Sequence, residues 1–79
     1  MDNRGYSKRI VDANKKASIN SLGVRLGRLC ISEDISVMQV AEMLEVSRQT
    51  VYSWFTGHYI PDEKYEKRIQ GFIKLYTPK

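Results

Sequence analysis

The 79-residue chain has one cysteine, one histidine, two prolines and no long hydrophobic run. A lone Cys30 excludes an internal disulfide and suits a reducing compartment. Cys30 and His58 fall short of the usual ligand count of a zinc site. A spanning helix needs about 20 apolar residues, and no stretch approaches that, so no membrane association is expected. The polar, charged N-terminus is unlike a signal peptide. No internal repeat, low-complexity tract or phosphate-cradling glycine loop is visible. Neither is an acid–base pair or nucleophile dyad, so the chain reads as a non-enzyme. The expectation is no cofactor, no metal, no catalytic residue and no small-molecule substrate.

What is present is a modest basic excess, 13 Lys and Arg against 9 Asp and Glu, giving a net charge of +4. That favours a polyanionic partner. The charge is unevenly placed. Residues 1–18 sum to +3, residues 19–35 to zero, residues 36–60 to −1 and residues 61–79 to +2. Any electrostatic grip therefore belongs mainly to the two ends. The length fits one domain with a modest core and little room for an enzyme pocket.

Residues 37–57, VMQVAEMLEVSRQTVYSWFTG, carry the strongest pattern. Val37, Val40, Ala41 and Leu44 recur at i, i+3, i+4, i+7, one face of a helix. Ser36 precedes them with Gln39 three residues on, the spacing of a capping box. Glu45, Val46 and Ser47 interrupt the period. Ser47 suits the N-cap of a second helix, Arg48 to Phe55, in which Val51, Trp54 and Phe55 face the core. Arg48, Gln49, Tyr52 and Ser53 then fall on the opposite side, and Gly57 suits the helix end. Ala41 is small where two steeply crossed helices approach closely. Such a helix-turn-helix can set one helix on a DNA backbone and the other in the major groove.

Elsewhere the chain also reads as helix. Residues 1–18 form a basic N-terminal arm or a short helix over part of residues 6–16, anchored by Ile10. Residues 19–76 form the domain proper. Ile19, Leu22, Leu26, Leu29 and Cys30 trace a stripe, with Gly23 and Gly27 placed to permit a close helix contact. Residues 32–34 break it. Pro61, Asp62 and Glu63 suit the start of a last helix. Tyr65, Ile69, Phe72, Ile73 and Tyr76 give that helix its apolar stripe. The outer residues Phe72, Ile73 and Tyr76 are candidate dimer contacts. No strand alternation is evident, so the expectation is an all-α bundle of four or five helices.

Residues 37–57 resemble the helix-turn-helix of the lambda repressor and Cro (XRE-like) family. Ala41, Val51 and Trp54 match its small, aliphatic and large apolar positions. Trp54, Gly57 and Pro61 resemble a Trp-x-x-Gly-x-x-x-Pro run common after that family's recognition helix. Leu22, Arg25, Leu26 and Leu29 look like its first helix, so residues 19–73 fall within the resemblance. Two positions depart from it: Glu45 stands where the family often has a left-handed glycine, and Val37 where it often has glutamine.

The resemblance implies a compact lambda repressor-like bundle and a sequence-specific transcriptional regulator. It would be a phage or mobile-element repressor of the Cro type, acting as a homodimer on double-stranded DNA. The place of action would be the cytoplasm of a bacterial or phage-infected cell, at the nucleoid. The candidate base contacts are Arg48, Gln49, Tyr52 and Ser53. Arg48 suits guanine O6 and N7, and Gln49 suits adenine N6 and N7. Candidate phosphate contacts are Ser47, Thr56, His58, Tyr59, Arg4, Lys8 and Arg9. Two other readings stay open. One is a protein-interaction module, antitoxin-like or inhibitor-like, built on the same fold. The other is a recombination or partition accessory, since VSRQTVYSWF also looks like the DNA-binding helix of resolvases and invertases.

Overall fold

A computed structural model describes residues 6–77. They form five helices: α1 (Lys8–Lys16), α2 (Leu22–Ser32), α3 (Val37–Leu44), α4 (Arg48–Phe55) and α5 (Glu63–Tyr76). No strand occurs among the described residues, and none of their helices is long and apolar enough to cross a membrane. The domain spans 33 × 27 × 22 Å.

Local chemistry explains where the helices begin. Ser7, Ser36 and Ser47 each accept a hydrogen bond from the backbone N–H three residues on, at Ile10, Gln39 and Thr50. Each satisfies an orphan donor of the first turn. α5 begins behind Asp62 with Glu63 and Glu66 in its first turn, where the helix dipole favours acids. α3 ends at Glu45, which takes the left-handed conformation at φ 58° and ψ 46°. The Val46 N–H then donates back to the Ala41 carbonyl at 3.0 Å, closing the helix end. The expected reciprocal arm of the capping box does not form. Gln39 instead points its amide at the Tyr76 hydroxyl, 3.4 Å away, tying α3 to the end of α5.

α2 runs through the middle of the molecule. Val24, Leu26 and Cys30 are wholly buried. It packs against α1, α4 and α5, and its two glycines explain how α4 comes so near. A Cβ at Gly23 would stand 2.8 Å from the Trp54 Cβ and carbonyl oxygen. One at Gly27 would stand 2.7 Å from Phe55 Cγ and 2.8 Å from the Asn14 amide. Both gaps are shorter than real Cβ contacts, so the crossing exists only because these residues lack side chains. Val40, Val51, Phe55 and Ile69 complete the centre, each fully buried.

The basic N-terminal stretch is a helix over Lys8–Lys16, and it belongs to the core. Its anchors are Tyr6, Val11 and Asn14, while Ile10 only packs at the margin. The Tyr6 hydroxyl donates to the Ile35 carbonyl, and its ring lies 6.1 Å from that of Phe55. Burial raises the Tyr6 pKa above the usual tyrosine range, with the nearby Cys30, Tyr52 and Asp34 adding to it. Asn14 is a buried polar hub. Its amide donates to the Val24 carbonyl at 3.0 Å and the Phe55 carbonyl at 2.7 Å. Arg28 closes the same corner by donating to the Asn14 and Lys15 carbonyls at the end of α1.

Candidate nucleic-acid interface

α3 and α4 are joined by residues 45–47. The left-handed Glu45 turns the chain sharply, and Ser47 opens α4 at once. Val51, Trp54 and Phe55 hold α4 by its inner side, with the Trp54 ring 5.3 Å from that of Tyr65. α4 is therefore short but firmly seated on α2 and α3. Its outer side carries Arg48 and Gln49, both exposed, with Ser53 half-buried, whereas Tyr52, expected beside them, packs its half-buried ring against the core.

The outer residues do not form one flat patch. Arg48 leans toward α3, where it lines a shallow pocket with Met38, Ala41, Glu42 and Val46. Gln49 and Ser53 look into a second depression, shared with Ser47, Thr50, Trp54 and Tyr59. The sequence pattern placed Arg48 and Gln49 together opposite the core; the structure sets them on two flanks of the helix. Thr50 joins the second depression although its spacing had not singled it out. Its hydroxyl lies 2.9 Å from that of Ser47.

Several hydroxyls in this region are already engaged. Ser53 donates to the Gln49 carbonyl at 3.1 Å, and Thr56 donates to the Tyr52 carbonyl at 3.0 Å. Each keeps lone pairs but has spent its hydrogen, so it meets a partner as an acceptor. A phosphate contact by Thr56 would first have to break that bond. Ser47 acts as the cap of α4. The first-turn amides of Arg48 and Gln49 have no acceptor within the helix and point along its N-terminal end.

The end of α4 is equally defined. Gly57 has φ 77°, and the His58 and Tyr59 N–H groups both donate to the Ser53 carbonyl, at 2.9 and 3.2 Å. This fold-back leaves His58 and Tyr59 exposed, ring edge on ring face with centroids 4.7 Å apart. Ala17, at the end of α1, lies against Gly57: a Cβ there would stand 3.1 Å from the alanine methyl. Lys15 and Lys16 are thus brought near the end of α4 by a contact that no local pattern reveals. Lys8 and Arg9 sit exposed in the first turn of α1. Arg4 lies outside the described residues.

The dimer candidates separate. Phe72 is only 4% exposed and stacks on Tyr76 at 4.7 Å within the protomer, which corrects its reading as an outer contact. α5 meets α2 and α3 through that side, so the apolar stripe is spent on the core. Ile73 and Tyr76 remain half-buried at its edge.

Comparison with protein-family models, with curated proteins and with solved structures gave no match. The arrangement is an all-helical domain in which two short helices, α3 and α4, are joined by residues 45–47 and the second keeps a polar face exposed. No group of three or more metal-ligating side chains occurs among the described residues.

Proposed function

We propose that the protein is a sequence-specific DNA-binding regulator of the lambda repressor-like type that inserts α4 into a major groove. One observation carries the reading. Two short helices are joined through a left-handed Glu45, and the second is seated by its apolar side with Arg48 and Gln49 left outward at its start. The N-terminal part of a helix so presented reaches base edges first. Arg48 supplies a fork for guanine and Gln49 an amide for adenine. As successive residues about 100° apart around α4, they would address neighbouring base pairs. Ser53 follows one turn deeper. Phosphate contacts would come from Lys8, Arg9, His58, Tyr59 and the free amides of the first turn of α4. The protein would act as a homodimer on half-sites about 34 Å apart.

Selection of bound sequences from a random duplex pool, at two salt concentrations, tests this reading. An enriched palindrome is the expected result, and absence of any retained duplex refutes it. Within the selected site, Arg48→Ala should weaken binding by about 1–3 kcal/mol and relax preference at one base pair. An equal loss on all sequences would make Arg48 a phosphate contact instead. A second reading, a protein-interaction module, draws on Met38 and Met43, which are 55% and 48% exposed on α3. Binding of that kind would change little with salt, whereas duplex binding weakens steeply.

A further inference from the structure

α5 spends Tyr65, Ile69 and Phe72 on the core and leaves Lys64, Lys67, Arg68, Gly71, Lys74 and Leu75 outside. At 3.6 residues per turn these outer positions form one stripe with Gly71 at its centre. Lys67 and Arg68 precede Gly71 by four and three residues, and Lys74 follows by three. Glu63 and Glu66 lie in the first turn, where they complement the helix dipole. Lys67 shares a depression with both acids, and Arg68 and Lys74 carry the positive charge on along the stripe. Lys64 is turned over the Tyr65 ring at 5.3 Å, which leaves three unengaged by that contact.

Packing among the described residues does not require a glycine at position 71. A Cβ there would meet nothing within 4 Å, in contrast to Gly23 and Gly27. Glycine weakens a helix interior, so its place in mid-helix calls for a reason outside the fold. It is the point on α5 where another molecule can approach the backbone most closely, with a positive charge on each side.

The charges decide what approaches. A second copy crossing antiparallel at Gly71 would set Lys74 against Arg68, like against like. A lipid surface would need an apolar face, and Leu75 is the only large apolar side chain on the stripe. Duplex DNA offers closely spaced phosphates and asks for little else. We propose that Lys67, Arg68, Gly71 and Lys74 form a second, sequence-independent binding surface for duplex DNA, set apart from α4. α4 and α5 both turn their apolar sides to the shared core, with Trp54 and Tyr65 meeting between them. Both helices keep their outer faces free of the core, and a protomer that bound duplex at each would bridge two segments.

The test uses the full chain and a random-sequence duplex of about 30 base pairs, long enough for several phosphate contacts. The variants are K67Q/R68Q/K74Q, Gly71→Leu and the α4 variant R48A/Q49A. Loss of three phosphate contacts should lower the slope of log affinity against log salt by about 2.7 in the triple variant. R48A/Q49A should keep that component, which separates this surface from the reading of α4. Gly71→Leu keeps every charge and favours the helix. It should raise the melting temperature while weakening duplex binding several-fold. Wild-type protein on a bead-bound duplex should capture a second, labelled duplex, and the triple variant should not. An unchanged salt slope in the triple variant, or undiminished binding by Gly71→Leu, overturns the proposal. Binding of the stripe to acidic phospholipid vesicles but not to duplex overturns it too.

Discussion

Replacing Asn14 by alanine should be among the most damaging single changes outside the apolar core. The side chain is 1% exposed, and its amide donates to carbonyls of two other helices, Val24 of α2 and Phe55 of α4. The two acceptors differ in what they lose. Val24 lies inside α2, where its carbonyl also serves the helix ladder. Phe55 is the last residue of α4, and the N–H groups of His58 and Tyr59 that follow it donate to Ser53 instead. Without Asn14 the Phe55 carbonyl is left buried and unpaired, which costs about 1–3 kcal/mol. The small cavity left by the amide adds to this. A total of about 2–4 kcal/mol is large against the roughly 5–15 kcal/mol that hold small domains folded. Thermal and urea unfolding of purified protein measure it directly. A fall in melting temperature of about 8 °C or more is expected, at about 4–8 °C per kcal/mol for a domain of this size. Asn14→Leu keeps most of the volume but not the donor, so it should be similarly destabilising. If Asn14→Ala melts with wild type, the α1–α4 bridge is not an energetic feature and the account of this corner fails.

Other perturbations address the helix crossing, the turn and pH. Gly23→Ala gains about 1 kcal/mol of helix propensity but drives a methyl against the Trp54 backbone, so a net loss of about 1–2 kcal/mol is expected in urea titrations. A stabilised Gly23→Ala protein would mean that α2 and α4 do not approach so closely. Glu45→Gly should stabilise by about 0.5 kcal/mol, because glycine adopts φ 58° without the Cβ penalty and loses part of that gain to chain entropy; a destabilised variant would show the turn is not left-handed. Alkaline titration follows Cys30, whose pKa is pushed by burial from 9.0 up to about 12. Above pH 9 the unfolded chain releases this proton while the folded chain keeps it. Stability must then fall as pH rises, by up to about 1.4 kcal/mol per unit through this window. Tyr6, raised in the same direction, deepens the loss once unfolded tyrosine ionises. Cys30→Ser should flatten the early part of the decline, and an unchanged profile would show that the thiol is not protected.

The sequence by itself determined the helices, because their signals are local. Apolar residues three and four apart placed the inner sides of α3, α4 and α5. Serines 36 and 47 announced two helix starts within one turn of the donors they satisfy. The break at residues 45–47 was visible as a lapse in period, and a left-handed glutamate there is a cost that one residue bears alone. Gly23 and Gly27 were legible as a close contact, though the partner helix was not.

The tertiary structure decided everything that depends on what lies across the core. Asn14 reads as an ordinary polar residue in a basic stretch until Val24 and Phe55 arrive from 10 and 41 residues away. Tyr6 stands just before α1, and its hydroxyl finds the Ile35 carbonyl only after the chain has closed. The inward side of α5 was readable, but that Phe72 would be consumed by the protomer's own core was not. The same holds for the candidate interface. Helical period set Arg48, Gln49 and Ser53 away from the core, but Tyr52, grouped with them, packs against it. That Arg48 borders α3 while Gln49 borders Tyr59 follows from how neighbouring elements flank the helix, and side-chain spacing carries no record of those neighbours.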